Sequence, residues 1–151
     1  MAGPLQSRKM FNTYSAVAGV SRQDTPYDWV AVHDGARPLV TPDLISRGLQ
    51  AAQEVGAAIA AIPAAETVKV VDANGTITST PERSNLWIAQ TPQVFRTDLL
   101  ATAYEAFKQN GADAEATDCA RVAELIGRPV QVYEGERTNI KITTTLDLLI
   151  A

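Results

Sequence analysis

The sequence predicts an α/β domain with a Rossmann-like, mostly parallel sheet from which a β-hairpin arm protrudes. Three observations lead there. The short apolar runs at residues 30–32 and 57–62 read as strands buried on both faces. A capped amphipathic pattern lies between them, which gives the order strand–helix–strand. Asn74-Gly75 separates two β-prone segments, as a hairpin turn does.

Val30-Ala31-Val32 forms the first strand and stops at the His33-Asp34-Gly35 turn. Thr41 caps the following helix and Pro42 takes its first position, where a missing N–H costs nothing. Leu44, Ile45, Leu49 and Ala52 give its apolar face, and Gly56 ends it. The second strand, 57–62, is stopped by Pro63. Residues 68–71 and 76–80 form a hairpin with a two-residue primed turn; it is polar on both sides and reads as an arm spanning about 64–90. Thr97-Asp98 opens a helix with Leu99, Leu100, Ala103 and Phe107 on one face and Asn110-Gly111 at its end. Thr117-Asp118 starts a shorter helix, stopped by Gly127 and followed by Pro129. Residues 130–133 are a strand, 139–142 a further candidate strand, and Thr145 caps a final helix. That helix has barely more than a turn before Ala151, so the chain is expected to have continued. Before Val30 there is no G-x-G-x-x-G or G-x-x-x-x-G-K pattern. The expectation is a single, incomplete domain over 1–151, with front strands and a Gly-rich loop missing.

Composition narrows the function. The chain has 151 residues, 46% of them apolar, enough for one domain with a real core. A net charge of -4 argues against a nucleic-acid partner, which calls for a basic stripe. One cysteine, Cys119, rules out an internal disulfide or a thiolate metal cluster and suits a reducing compartment. The longest apolar stretch, 55–65, is too short to span a bilayer and contains Pro63. No targeting segment is read, so a cytoplasmic protein without a membrane partner is expected.

A negative protein that handles phosphate must gather local positive charge. Asp34 and Arg37 follow a strand's carboxyl end, where open α/β sheets bind ligands. Asp34 suits a hard cation such as Mg2+ and Arg37 suits a phosphate; the competing reading is a turn-stabilising ion pair between them. His33, the single histidine, reads as a packed strand-end residue rather than a base. Thr67, Arg83 and Thr91 flank the hairpin, where hydroxyls and a guanidinium could surround a phosphate or simply be solvated. Thr117 stands at a helix start, as an anion contact or a plain cap. Lys141 lies in an apolar run, and a lysine there needs a counter-charge, an anion or a carboxylate, unless it sits on an edge strand.

Taken in order, VAVHDGARP (30–38), Glu66-Thr67-Val68-Lys69, RSNLWIAQTPQ (83–93), Thr117-Asp118 and NIKIT (139–143) resemble the 2-C-methyl-D-erythritol 4-phosphate cytidylyltransferase family. The matching spacing covers nearly everything after about residue 12. The resemblance implies transfer of CMP from CTP to methylerythritol phosphate, with release of pyrophosphate and with Mg2+ as cofactor. It implies that Asp34 is the metal ligand beside the nucleotide α-phosphate and that Arg37 lines the site. Thr67 and Arg83 would hold the polyol phosphate from an arm reaching into the partner of an interlocked homodimer. Thr91 and Thr117 would contact the same substrate, Lys141 would place its attacking phosphate, and Ser15 would contact cytosine. No protein nucleophile is implied, so Cys119, which stands where the family often has a second acid, need not be catalytic. The family's Gly-rich loop is not found here, so little or no activity is expected of this chain alone. A pentitol-phosphate cytidylyltransferase and a non-catalytic fragment or binding protein are the alternatives.

Overall fold

The computed structural model describes residues 27–109 and 118–151. Through them run β1 (Trp29–Val32), α1 (Pro42–Val55), β2 (Ala57–Pro63), β3 (Val70–Val71), β4 (Ile77–Ser79), β5 (Trp87–Arg96), α2 (Thr97–Gln109), α3 (Cys119–Leu125), β6 (Gln131–Glu134) and α4 (Thr145–Ile150). The main sheet has the order β1-β5-β2-β6. β5 is antiparallel to both of its neighbours and β6 is parallel to β2. Three of these four strands therefore share one direction, as the sequence predicts, and β5 is the reversed one.

Side-chain alternation splits the core in two. Ala57 and Ile59 of β2 and Phe95 of β5 pack against Leu99, Leu100, Ala103 and Tyr104 of α2 and Val122 of α3. Their neighbours Ala58, Ala60 and Val94 point the other way, to Leu44 and Ala52 of α1 and Tyr133 of β6. Helices thus cover both faces, and small alanines on β2 let them approach closely. α1 begins and ends as the sequence predicts: Thr41 accepts from the Leu44 N–H, and Gly56 takes a left-handed φ of 88°. Its buried stripe is Leu44, Gly48 and Ala52, whereas Leu49, expected on that face, is exposed.

Five expectations are corrected. The sequence reading assigns no strand over 87–96, where β5 runs with Pro92 in its middle, a residue that central strands seldom hold. Its ladder with β2 is broken there: Ile59 pairs with Gln93 and Ala61 with Ala89, so residues 90–92 oppose Ala60 alone and Pro92 owes no ladder bond. Next, the hairpin turn is not a two-residue primed turn. The Asp72 carbonyl accepts from Gly75 N–H, the Asp72 carboxylate accepts from the N–H groups of Asn74 and Thr76, and only Gly75 has a positive φ, 81°. Asp72 thereby builds a three-residue loop that ends on the glycine. Nor is the hairpin polar on both sides, since it exposes Val70, Val71 and Ile77. Finally, residues 139–142 form no strand, being held by single bonds such as Ile142 N–H to the Ala36 carbonyl (2.8 Å), and the α4 cap is Thr144, which forms a capping box with Asp147.

The hairpin leaves the sheet after β2, closed at its base by Ala64 N–H to the Leu86 carbonyl (2.9 Å). The expected helix end at Asn110-Gly111 lies outside the described residues. No helix among the described residues is long and apolar enough to cross a membrane.

Candidate active site beyond the carboxyl end of β1

The chain leaves β1 and turns sharply, with Arg37 N–H donating to the Asp34 carbonyl (2.9 Å). Two side chains fix this turn. Thr91 of β5 accepts the Asp34 N–H through Oγ1 at 3.0 Å. The His33 ring spans the Thr91 hydroxyl (3.0 Å, Nδ1) and the Arg37 carbonyl (2.9 Å, Nε2). A carbonyl only accepts, so Nε2 carries the hydrogen; in the neutral ring Nδ1 then accepts from the Thr91 hydroxyl. That leaves a Thr91 lone pair for the Asp34 N–H, and all three bonds are mutually consistent. His33, expected to be packed at the strand end, is instead exposed and acts as a brace.

Lys141 completes the group. Its Nζ lies 2.6 Å from Asp34 Oδ2, with side-chain exposures of 41% and 25%. The counter-charge that a lysine in an apolar run requires is therefore a carboxylate, contributed from 107 residues earlier in the chain (141 minus 34). Asp34 Oδ1 also accepts from Ala36 N–H at 3.3 Å.

Arg37 behaves differently from either sequence reading. Its guanidinium donates to two main-chain carbonyls, those of Asn139 (2.7 Å) and Ala89 (3.5 Å), and its Nε is buried without a hydrogen-bond partner. Burial lowers its pKa, opposed by the charge of Asp34, yet an arginine starts so high that it stays cationic. Its effect is mechanical: it ties the turn that carries Asp34 to the segment that carries Lys141. Asn139, wholly buried, extends the tie by donating from Nδ2 to the Thr91 carbonyl at 2.7 Å.

The structure thus gathers Asp34, Arg37, Thr91 and Lys141. Thr67 and Arg83 stand on the exposed arm. Arg83 donates to the Ala65 carbonyl (3.2 Å). Ser15 and Thr117 lie outside the described residues. Asn139 and Gln90, both buried polar residues beside the site, were not singled out from the sequence. Their signal was an amide within or next to an apolar run, which requires internal partners.

Oxygen chemistry at Asp34 suits Mg2+. That ion commonly takes one or two carboxylates and completes its shell with phosphate oxygens and water. Among the described residues there is no group of three or more acidic, His or Cys side chains that could hold an ion.

A carboxylate, an ammonium and a hydroxyl thus gather beyond the carboxyl end of a strand, where such sheets bind ligands, in a helix-covered α/β fold of the Rossmann-like class. More particularly, the chain belongs to the 2-C-methyl-D-erythritol 4-phosphate cytidylyltransferase (IspD) family, whose model matches residues 7–151. A relative bearing that enzyme's name in Synechocystis sp. is 43% identical over the whole chain and 62% of its own length. One in Alkaliphilus oremlandii is 41% identical over 93% of the chain and 64% of its own length. The crystal structure of 4-diphosphocytidyl-2C-methyl-D-erythritol synthase from Anaerococcus prevotii superposes with a TM-score of 0.80 at 32% identity, covering 91% of this chain and 63% of that one. The Thermus thermophilus cytidylyltransferase gives 0.78 at 34% identity, covering 92% and 65%. The chain therefore spans under two thirds of the length of these relatives.

Proposed function

We propose that this chain supplies the metal-binding and acceptor-phosphate half of a cytidylyltransferase site, transferring CMP from CTP to 2-C-methyl-D-erythritol 4-phosphate. The observation that carries the reading is the Asp34–Lys141 pair at 2.6 Å, in a family of that activity. A phosphate oxygen of the acceptor attacks the α-phosphorus of CTP; the new P–O bond forms as the bond to the β-phosphate bridge breaks, and pyrophosphate leaves with that electron pair. Such a reaction needs positioned anions and neutralised charge more than a protein nucleophile.

The pair is suited to exchange partners. A half-exposed ion pair is worth only about 0–1 kcal/mol, so an arriving phosphate dianion can take the Lys141 ammonium from Asp34. The released carboxylate then becomes available as the Mg2+ ligand. When bound, the metal would neutralise phosphate oxygens. Thr91 and the His33 brace hold the Asp34 backbone in place during this exchange. Arg83 and Thr67, on the arm, would reach the acceptor phosphate of a second copy, and the exposed Val70, Val71 and Ile77 favour an arm that finds cover in a homodimer. Ser15 and Thr117 complete the contacts to cytosine and to the acceptor, and the cytoplasm is the proposed compartment.

The test is acceptor-dependent pyrophosphate release from CTP and Mg2+, by the chain as it stands and by the chain joined behind the Gly-rich amino-terminal segment of a relative. Release with methylerythritol phosphate, and much less with a pentitol phosphate, is expected from the joined chain. Faster release with the pentitol phosphate would move the substrate assignment. No release with either from a folded joined chain would leave a non-catalytic binding protein.

A further inference from the structure

β5 carries a buried glutamine on either side of Thr91-Pro92: Gln90 and Gln93 are 5% and 3% exposed. The break in the ladder opposite Ala60 releases this stretch from regular pairing. Gln90 uses its amide as a two-point bracket on one backbone unit. Its Nε2 donates to the Glu136 carbonyl (2.9 Å) and its Oε1 accepts from the Glu136 N–H (3.2 Å). Oε1 also receives a long bond from Asn139 Nδ2 at 3.5 Å. From Glu136 the chain continues directly to Asn139 and Lys141, and Asn139 N–H donates back to the same Glu136 carbonyl at 3.0 Å. Gly135 allows the close approach, since a Cβ there would collide with Gln90 Oε1 and press on the Ala61 carbonyl. The Glu136 side chain is held separately, by the Thr41 hydroxyl (2.9 Å) and Arg47 (3.0 Å). Gln90 thus fixes the Glu136 end of this segment to β5, while Arg37 and Asn139 tie it nearer Lys141.

We infer that Gln90 is a positioning residue for the reaction: by bracketing the backbone of Glu136 it holds Lys141 over Asp34, beside Thr91. The inference rests on the reading of Lys141 as the acceptor-phosphate group. The sheet does not need this bracket, because β6 already pairs with β2 along residues 131–134. Past β6 the Gly135 N–H still reaches the Ala61 carbonyl (2.7 Å), and the bracket fixes the next residue, five before the ammonium. Without the bracket, the part-buried Glu136 N–H loses its partner and the Glu136 carbonyl keeps only the Asn139 N–H, so the segment is freed to shift.

Two variants remove the bracket from opposite sides. Gln90→Met keeps the length and loses both hydrogen-bonding functions, whereas Gly135→Ala keeps Gln90 but drives it off Glu136. Leu100→Ala, in the core cluster beneath α2 and without a bond to Glu136, serves as a destabilised control. In the intact chain, brief reductive methylation followed by peptide mass spectrometry reads the labelling of Lys141 relative to Lys108. The ratio is expected to rise at least about threefold in both bracket variants, the size of a modest coupling, and to stay level in the control. A level ratio in a folded bracket variant, or an equal rise in Leu100→Ala, overturns the inference. In the joined chain, Gln90→Met is expected to slow turnover at least about threefold and to add nothing in a Lys141→Ala background. An equal loss in both backgrounds also overturns it. If the unsubstituted joined chain is inactive, the proposed function falls, while the labelling ratio still decides whether Gln90 positions Lys141.

Discussion

Gly48→Ala sets two effects of opposite sign against each other. Gly48 lies inside α1 and is buried. An alanine there gains roughly 0.8–1.0 kcal/mol of helix propensity. Its Cβ, however, would lie 2.6 Å from the Tyr133 hydroxyl, 2.9 Å from the ring carbon that bears it and 3.0 Å from Val94 Cγ2. Ordinary contact begins near 3.4 Å, so the ring must move by most of an ångström, into a core that already touches Val94. Overpacking of this kind costs about 1–3 kcal/mol. The same hydroxyl donates to the Pro92 carbonyl at 3.0 Å, and breaking that buried bond adds about 1–3 kcal/mol. The clash wins, and a net loss of about 2 kcal/mol is expected, or roughly 4–8 °C in Tm for a chain of this size. Urea denaturation of the two proteins measures it. In a Tyr133→Phe background the loss should shrink, because the nearest obstacle is gone. An alanine variant as stable as the parent, or more so, would refute the close approach of α1 to β6.

Two further outcomes follow from buried or bonded titratable groups. Burial pushes the Cys119 thiol up, opposed by its hydrogen bond with Tyr104 (3.3 Å) and reinforced by the charge of Asp118. The folded chain should therefore react with a disulfide reagent at pH 8 at least about tenfold more slowly than the denatured chain; equal rates would contradict the burial. Bonds from the Thr143 backbone, and then from Thr144, lower the Asp147 carboxyl to about 2. A depressed carboxylate stabilises the fold above its unfolded pKa, about 3.9, and that contribution fades as the pH falls toward about 2. A carbon-13 titration should place the Asp147 midpoint near 2, and a midpoint near 4 would mean the capping box is not formed in solution.

Local signals carried much of the fold. α1 was legible because its cap, its first-turn proline and its terminal glycine act within a few residues, and β2 because five consecutive buried positions leave an unbroken apolar run. β5 was not legible, because its strand character comes from partners on both sides, and its proline sits where the ladder is broken by a bulge that only tertiary pairing creates. The same division holds at the site. Lys141 announced a need for counter-charge, but nothing local named Asp34 as the partner. Arg37 looked ready for phosphate, yet two carbonyls contributed by other segments occupy its fork, one of them 102 residues away. The bracket on Glu136 and the His33 brace depend on the same long-range packing.

In the proposed function Asp34 and Lys141 together carry cytidylyl transfer. Phosphorus-31 NMR of the joined chain with CTP, Mg2+ and methylerythritol phosphate reads it most directly, as a new diphosphate ester growing in step with free pyrophosphate. Lys141→Met and Asp34→Asn should each slow that growth by about 10²–10³-fold, the loss typical of removing one charge-stabilising group, while leaving the chain folded. An ester that forms at the parental rate in either variant would contradict the account.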